Sequence, residues 1–135
     1  MDIADMANMA DVQAGLLKLI GLRVDLITPD RAEVSITVTP DLFQPAGLVH
    51  GGIYCTLVET AASIGAAVWL GQRGQVVGVA NHTDFIRAVR EGELKAVATP
   101  IHRGRSQQLW LVEIYDEQER LVARGEVRLQ NLEPR

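Results

Sequence analysis

The chain has 135 residues, of which 47% are hydrophobic and 22% charged, and its net charge is −4. This length fits one domain with a substantial core, and the composition is ordinary for a globular protein. The acidic balance argues against general nucleic-acid binding, although it leaves room for a local basic patch that binds one anionic ligand. The single cysteine, Cys55, excludes an internal disulfide framework.

The N-terminus lacks the basic start and apolar run of a secretory signal, so we expect a cytoplasmic protein. We expect one domain over residues 1–135, with residues 1–10 flexible. The most apolar stretch, residues 51–71, contains Glu59, several glycines and many alanines, which favours a core helix over a membrane span.

The first elements are a helix and a strand pair. Apolar residues recur at helical spacing at Val12, Leu16, Leu17 and Ile20, and Gly21 is a plausible stop. Residues 22–27 and 32–39 flank a Pro-Asp turn, and the second segment alternates between apolar and polar residues, so both are predicted strands. A loop with Pro45 and Gly47 follows, up to His50.

Residues 51–70 are apolar around the whole helical circumference, which predicts a buried helix. Four predicted strands follow, at about 75–87, 93–103, 107–116 and 120–130. This order predicts an α+β fold in which a curved antiparallel sheet wraps around one long central helix. Several strands are apolar on both faces, so we also expect an oligomer.

Glu59 is the only formally charged side chain between His50 and Arg73. Burying a carboxylate without partners is costly, so the presence of Glu59 in a predicted buried helix requires an explanation. A structural glutamate that pairs with an arginine or reaches solvent at an interface is one reading. A carboxylate tuned to act as nucleophile or general base is the other, and the sequence alone favours neither.

His50-Gly51-Gly52 lies at the start of the predicted long helix. Free backbone N–H groups and the positive end of the helix dipole lie there, and glycines let a ligand carbonyl approach closely. That is the geometry of an oxyanion site. The triplet alone is weak evidence, because a helix start that needs glycine for packing has the same sequence.

The spacing of the two features suggests a composite site. Gly51 and Glu59 are eight residues apart, or about 12 Å along a helix. One carbonyl carbon cannot easily reach both within one subunit, so if both groups act on the same carbonyl, we expect two subunits to supply them. Ser63 follows Glu59 by one turn on the same face and could bind the substrate or a water, although a small packing residue there is the more common case.

Together, Gln44-Pro45, Gly47, His50-Gly51-Gly52, Glu59 and Ser63 resemble the hotdog-fold acyl-CoA thioesterases. The likeness extends over about residues 15–130 and is greatest to the branch that holds the phenylacetic-acid-pathway thioesterase and the enterobactin-synthesis proofreading thioesterase. Gly104-Arg105 and Asp116-Glu117-Gln118 resemble the same branch. The combined spacing is specific, whereas each piece alone is not.

The resemblance implies a role for each matching position. Gln44 and His50 would orient or polarise the thioester carbonyl, and the N–H of Gly51 would be the main oxyanion donor, with Gly52 beside it. Glu59 of the facing subunit would attack or activate water, and Ser63 would position the acyl group or the water.

The family also implies how coenzyme A, as part of the substrate, would be held. Its phosphates or pantetheine would lie near the turn formed by Arg103, Gly104, Arg105 and Ser106. Arg87 and Arg90 are further phosphate candidates because arginine suits such contacts, although a single arginine is more often a solvated surface charge. We expect no metal and no bound cofactor, and at least a homodimer, with a tetramer as the family suggests. No nucleic-acid or membrane partner is expected.

One position departs from the family pattern. The enterobactin-type members have a histidine pair in the strand after the long helix, where this chain has Phe85-Ile86. The change predicts a more apolar acyl pocket, which favours an aliphatic or unsubstituted aryl group over hydroxybenzoyl. His82 nearby is expected to satisfy a strand edge.

Two other functions remain compatible with the fold. A hotdog hydratase or dehydratase would use a histidine and an acid, but the His-Phe-Pro type motif associated with those relatives is missing. A non-catalytic acyl-CoA binder would need neither. Thioester hydrolysis of a small acyl-CoA or acyl-carrier-protein substrate is the leading prediction.

Overall fold

The structure, a computed structural model, describes residues 14–134. The segment predicted to be flexible and the predicted helical residue Val12 lie outside this range. Helix α1 (Gly15–Leu19) is followed by Gly21, which adopts a φ of +70°. Strands β1 (Arg23–Ile27) and β2 (Ala32–Thr37) pair in antiparallel fashion around a turn, as predicted.

The long helix α2 comprises Gly51–Leu70 and is preceded by a 3₁₀ turn at Pro40–Leu42. Four strands follow: β3 (Gln75–Phe85), β4 (Glu93–Arg103), β5 (Gln107–Tyr115) and β6 (Leu121–Leu132). All neighbours are antiparallel, and the strand order is β1-β2-β4-β5-β6-β3. The predicted α+β architecture, one antiparallel sheet around one long helix, is confirmed.

The core lies between α2 and the sheet. Trp110 on β5 is fully buried, and its ring occupies the space beside Gly65 of α2, where a Cβ would come within 2.6 Å of it. The helix can therefore lie close to the sheet only because it has no side chain there. Helix α2 with the following turn is long and apolar enough to cross a membrane, but more than half of that stretch is buried in the fold, as in a core helix.

The sheet covers only one side of α2. Ten of its residues are buried, but Gly52 and Glu59 are exposed, and half-buried small residues continue the same open stripe: Thr56, Thr60, Ser63 and Ala67. The prediction of a helix buried on every face was therefore wrong for a single chain. Small residues count as apolar in a sequence pattern, and they do not reveal whether a sheet covers them.

Strand β3 forms one edge of the sheet and is largely exposed. Its pairing with β6 contains a bulge at Val79, which has no partner between Gly78 and Ala80. Val77 and Val79 are 44% and 53% exposed. This edge strand of eleven residues, apolar mainly over residues 76–80, lies beside the open stripe of α2.

Candidate active site

The loop before α2 is held firmly by backbone hydrogen bonds. The N–H of His50 donates to Leu42 O at 2.9 Å, and that of Val49 donates to Val89 O at 2.9 Å. Gly47 has a φ of +81°, and its N–H donates to Gln44 O. The Oε1 atom of Gln44 accepts a hydrogen bond from the N–H of Ala46. The NH₂ group of the same amide can therefore donate to a ligand. The loop thus fixes Gln44 and His50 beside the start of α2.

His50 is the N-cap of α2. Its backbone is extended, and its Nδ1 accepts the N–H of Gly52 at 2.8 Å. An acceptor Nδ1 places the proton of the neutral ring on Nε2. The exposed side chain therefore presents an N–H donor to solvent while it caps the helix.

Gly51 is the first residue of α2, and its N–H has no hydrogen-bond partner among residues 14–134. The ring of Phe85, at the end of β3, packs directly on its Cα. Any larger residue at this position would clash with that ring. The backbone donor at the helix start therefore depends on glycine and on the placement of β3.

A cavity of about 230 Å³ opens beside this donor. Its walls come from the loop, the first turn of α2 and the end of β3, and they include Gln44, Gly51, Tyr54, Phe85 and Ile86. The walls are mostly apolar, and their polar groups include the amide of Gln44, the backbone of Gly51 and Arg87.

Tyr54 is a site residue that the sequence analysis missed. It is buried, its ring centroid is 5.8 Å from that of Phe85, and its hydroxyl lies 3.4 Å from Arg87 O. Burial raises the pKa of the Tyr54 hydroxyl above its usual value, so it stays a neutral donor. A tyrosine one turn after His50, the only aromatic residue in the first half of α2, was the available signal.

Glu59 lies on the open stripe of α2 and is exposed in the single chain. Its carboxylate lies over β3, where a Cβ at Gly78 would be 3.3 Å from Oε1. Ser63 follows one turn later and is half-buried. Because Gly51 and Glu59 belong to one continuous helix, they are about 12 Å apart along its axis, as their spacing predicts.

The predicted phosphate contacts separate into different regions. Arg87 borders the 230 Å³ cavity, whereas Arg90 lies in another concavity with Asp116 and Arg120. Arg103 and Arg105 lie with Gly104 at the opposite end of α2. Ser106 is exposed in the same turn, and its O accepts the N–H of Asn131. No single ligand within one chain reaches all of these groups.

The segment that departs from the family pattern borders the cavity. Phe85 and Ile86 are 56% and 52% exposed, so both side chains are open to a ligand or a second copy. His82 is exposed on β3, with its Nε2 3.2 Å from Oδ1 of Asp84. It belongs to the strand surface and not to the cavity wall.

Comparison with known proteins assigns the family. Residues 46–123, more than half of the chain, match the model of the thioesterase superfamily, so the chain belongs to this superfamily. A Mycobacterium tuberculosis protein with the provisional name of an esterase, Rv1847, is 51% identical over 119 residues, which span 86% of this chain and 85% of that one.

Two further relatives have named thioesterase activities. A 1,4-dihydroxy-2-naphthoyl-CoA hydrolase of Listeria monocytogenes is 36% identical over 80% of this chain and 88% of its own length. The proofreading thioesterase EntH of Cronobacter turicensis is 34% identical over 78% of this chain and 77% of its own. The predicted enzyme class is thereby confirmed: the chain is a thioester hydrolase.

Solved structures agree with this assignment. The M. tuberculosis protein superposes with a TM-score of 0.86 at 50% identity and covers 87% of this chain and 96% of its own. The PaaI protein of the E. coli phenylacetic acid operon has a TM-score of 0.81 at 24% identity, over 96% of this chain and 88% of its own, and therefore supports the fold alone. The resemblance to hotdog thioesterases is confirmed.

Proposed function

We propose that this protein hydrolyses the thioester of a small acyl-CoA or acyl-carrier-protein substrate, with Glu59 as the catalytic carboxylate. The N–H of Gly51 is the main oxyanion donor, and Gln44 and His50 orient the carbonyl. The site is composite: Gly51 comes from one copy and Glu59 from another.

One observation carries the proposal. The N–H of Gly51 has no hydrogen-bond partner among residues 14–134 and Glu59 is exposed, yet the two lie about 12 Å apart along one helix. Two copies related by a two-fold axis bring the helix start of each beside the middle of the other. Each dimer then has two equivalent sites, and the exposed stripe of α2 becomes a wall of both.

The edge strand supports the same assembly. An exposed apolar edge invites pairing with another strand, and a two-fold axis beside β3 joins the sheets of two copies. That pairing also covers Glu59, which lies over β3. A dimer is the least that the proposed site requires, and we extend the proposal to a tetramer built from two such dimers.

The chemistry follows from the two groups. Glu59 either adds to the carbonyl carbon, forming an anhydride that water then hydrolyses, or takes a proton from a water that adds directly. Both routes place negative charge on the carbonyl oxygen, where the N–H of Gly51 stabilises it. Collapse breaks the C–S bond, and the proton from water ends on the departing sulfur.

The cavity beside Gly51 would hold the acyl group. Phe85, Ile86 and Tyr54 make its walls apolar and aromatic, which suits an aliphatic or unsubstituted aryl chain. Ser63 would contact the acyl group or the water beside Glu59. The substrate's phosphates would meet Arg87 and Arg90 near the cavity or the turn that carries Arg103 and Arg105.

Thiol release from a panel of acyl-CoAs tests the proposal, with wild type beside Glu59→Gln. We expect hydrolysis of some substrates and a loss of at least about 10³-fold in the variant, while bound substrate is still detected by calorimetry. Glu113→Gln, the same change on β5 well away from α2, is the matched control and should keep full activity.

Each outcome points to one function. Turnover that survives in Glu59→Gln would refute the catalytic assignment. Addition or loss of water without thiol release would identify a hydratase or dehydratase. Tight binding without any reaction would identify a non-catalytic acyl-CoA binder.

A further inference from the structure

The end of α2 opposite the proposed oxyanion site carries an unusual aromatic and cationic cluster. The guanidinium carbon of Arg73 lies 4.3 Å from the centroid of the Trp69 ring, and that of Arg103 lies 5.5 Å from it. Arg73 also caps the helix, since its Nε donates to Leu70 O at 2.9 Å. The Trp69 ring thus has two cations within cation–π distance of its centroid.

The surroundings of this cluster are basic, although the chain as a whole has a net charge of −4. Arg73, Arg103 and Arg105 line one concavity of about 420 Å³, in which Glu133 is the single carboxylate among residues 14–134. Asp30 lies outside it and pairs with Arg103 at 2.9 Å. Arg105 is exposed, and its guanidinium has no hydrogen bond or ion pair within residues 14–134.

Apolar side chains flank these cations. Ile101 is 51% exposed and Leu132 is 42% exposed. Ile101 is the unpaired residue of a bulge in β4, between Pro100 and His102, and such a bulge re-aims a side chain out of the regular sheet. Ile101 borders a second concavity of about 370 Å³, which shares Trp69 and Arg103 with the first.

We call this region the Trp69 surface and define it by Trp69, Arg73, Ile101, Arg103, Arg105 and Leu132. Tryptophan and arginine are the side chains most enriched at protein-binding hot spots. A phosphate alone would need only the cations. Two adjoining open concavities with exposed apolar residues between them suit a larger partner.

The distance to the proposed catalytic carboxylate is also informative. Trp69 lies ten residues beyond Glu59 on the same helix, about 15 Å along its axis. A phosphopantetheine arm spans such a distance, so a thioester that reacts at Glu59 can have its phosphate near this end of α2. A nucleotide follows that phosphate in coenzyme A, whereas a protein follows it in a carrier-bound substrate.

We propose that the Trp69 surface docks an acidic acyl-carrier domain whose phosphopantetheine arm delivers the thioester to Glu59. This inference rests on the proposed function and selects carrier-bound thioesters as its substrate class. The arginines attract the acidic domain and raise the rate of encounter, and Trp69, Ile101 and Leu132 supply the apolar contacts.

Three substrates that share one acyl group test the proposal: the pantetheine thioester, the coenzyme A thioester and the thioester of an acidic bacterial acyl-carrier protein. The informative variants are Ile101→Glu and its matched control Ile101→Lys, both at an exposed position. We expect Ile101→Glu to lower kcat/KM for the carrier substrate about tenfold, through KM, and Ile101→Lys to lower it far less. The pantetheine substrate should be unaffected in both.

Salt provides an independent readout. Turnover of the carrier substrate by wild type should fall steeply as ionic strength rises, because the attraction is screened, while turnover of the pantetheine substrate stays constant. Arg105→Glu should weaken that salt dependence, because Arg73 and Arg103 remain.

Two results would overturn the proposal. An equal loss for the coenzyme A and carrier substrates in Ile101→Glu would assign the surface to the nucleotide. An unchanged KM for the carrier substrate in both Ile101→Glu and Arg105→Glu would remove the docking role. If wild type hydrolyses none of the three thioesters, the proposed function fails, and direct binding of the carrier domain to wild type and Ile101→Glu still decides the docking question.

Discussion

The ring of Phe85 lies so close to the backbone of Gly51 that a Cβ there would be 2.3 Å from its Cε2 atom. This contact joins the end of β3 to the first turn of α2. It places an aromatic wall of the cavity beside the free N–H at the helix start. One pair of residues therefore sets both the donor that would bind the carbonyl oxygen and the space for the acyl group.

Gly51→Ala should disrupt this contact. The added methyl group must displace the ring of Phe85, which is 56% exposed and can turn aside, or shift the start of α2, so we expect a loss of stability below the about 1–3 kcal/mol of core overpacking. A displaced donor also weakens oxyanion stabilisation, so we expect a loss of about 10²–10³-fold in turnover. Thermal unfolding and thiol release measure the two effects separately.

The double variant Gly51→Ala/Phe85→Ala is the matched control for the clash. Removing the ring should return the melting temperature to that of Phe85→Ala alone. If Gly51→Ala is as stable and active as wild type while Phe85 is present, the contact does not constrain the donor.

Two inactive variants should complement each other if the site is shared between copies. Co-expression of Glu59→Gln with Gly51→Ala produces mixed dimers in which one of the two sites has both native groups. Random pairing then restores about a quarter of wild-type activity. Thiol release by the whole co-expressed mixture measures it, and mixed dimers selected through two different tags should reach about half of wild-type activity.

Separately purified homodimers of each variant, mixed and assayed before their subunits exchange, are the control and should stay inactive. If the co-expressed pair recovers no activity, the Gly51 N–H and the Glu59 carboxylate of each site come from one chain. That result would contradict the composite site without touching the assignment of Glu59.

Gly65→Ala should destabilise the fold from inside the core. Its Cβ would lie 2.6 Å from the fully buried ring of Trp110. The clash outweighs the better helix propensity of alanine, so we expect the free energy of unfolding to fall by about 1–2 kcal/mol. Urea denaturation measures it. Thr60→Ala, on the open stripe, is the control and should stay within about 0.5 kcal/mol of wild type.

Asp116 should make the free energy of unfolding depend on pH in the acidic range. Burial raises the pKa of its carboxyl, but the backbone N–H and guanidinium of Arg120 and the N–H of Gln118 outweigh this and hold the pKa below its usual value. The carboxylate therefore stabilises the fold above its unfolded pKa of about 3.9. That contribution should be lost as the pH falls from about 4 through the folded pKa.

Denaturant midpoints between pH 2.5 and 7 compare wild type with Asp116→Asn. At neutral pH the variant should be less stable, and the difference should shrink toward acid. A difference that stays constant across this range would show that the ionised carboxylate is not the stabilising form.

Much of the fold could be predicted because its elements are local patterns. The alternation in β2, the turn before it and the long apolar stretch of α2 each follow from neighbouring residues, and the structure has an element at each. The sheet order could not be predicted. Strand β3 follows α2 in the chain but lies beyond β6 at the edge, and long-range pairing leaves no trace in a single strand's sequence.

The candidate site divides in the same way. The start of α2, with His50 and Gly51, is a pattern of neighbouring residues, so this part of the site could be predicted from the sequence. The contact of Phe85 with Gly51 joins residues far apart in sequence, as does the stacking of Arg103 on Trp69, and so neither was foreseen. The open stripe was missed because threonine, serine and alanine suit both a buried helix and an interface.

The exposed edge of β3 has a consequence for the fate of the newly made chain. Free backbone donors and acceptors beside Val77 and Val79 are a template on which any extended segment can add. In the proposed dimer a second copy covers this edge, so a chain that has folded but not yet paired would be an aggregation hazard in a crowded cell. Substitutions that weaken self-association would then be detected first as poor solubility and rapid degradation, and natural selection for a soluble protein would preserve the assembly even where catalysis is dispensable.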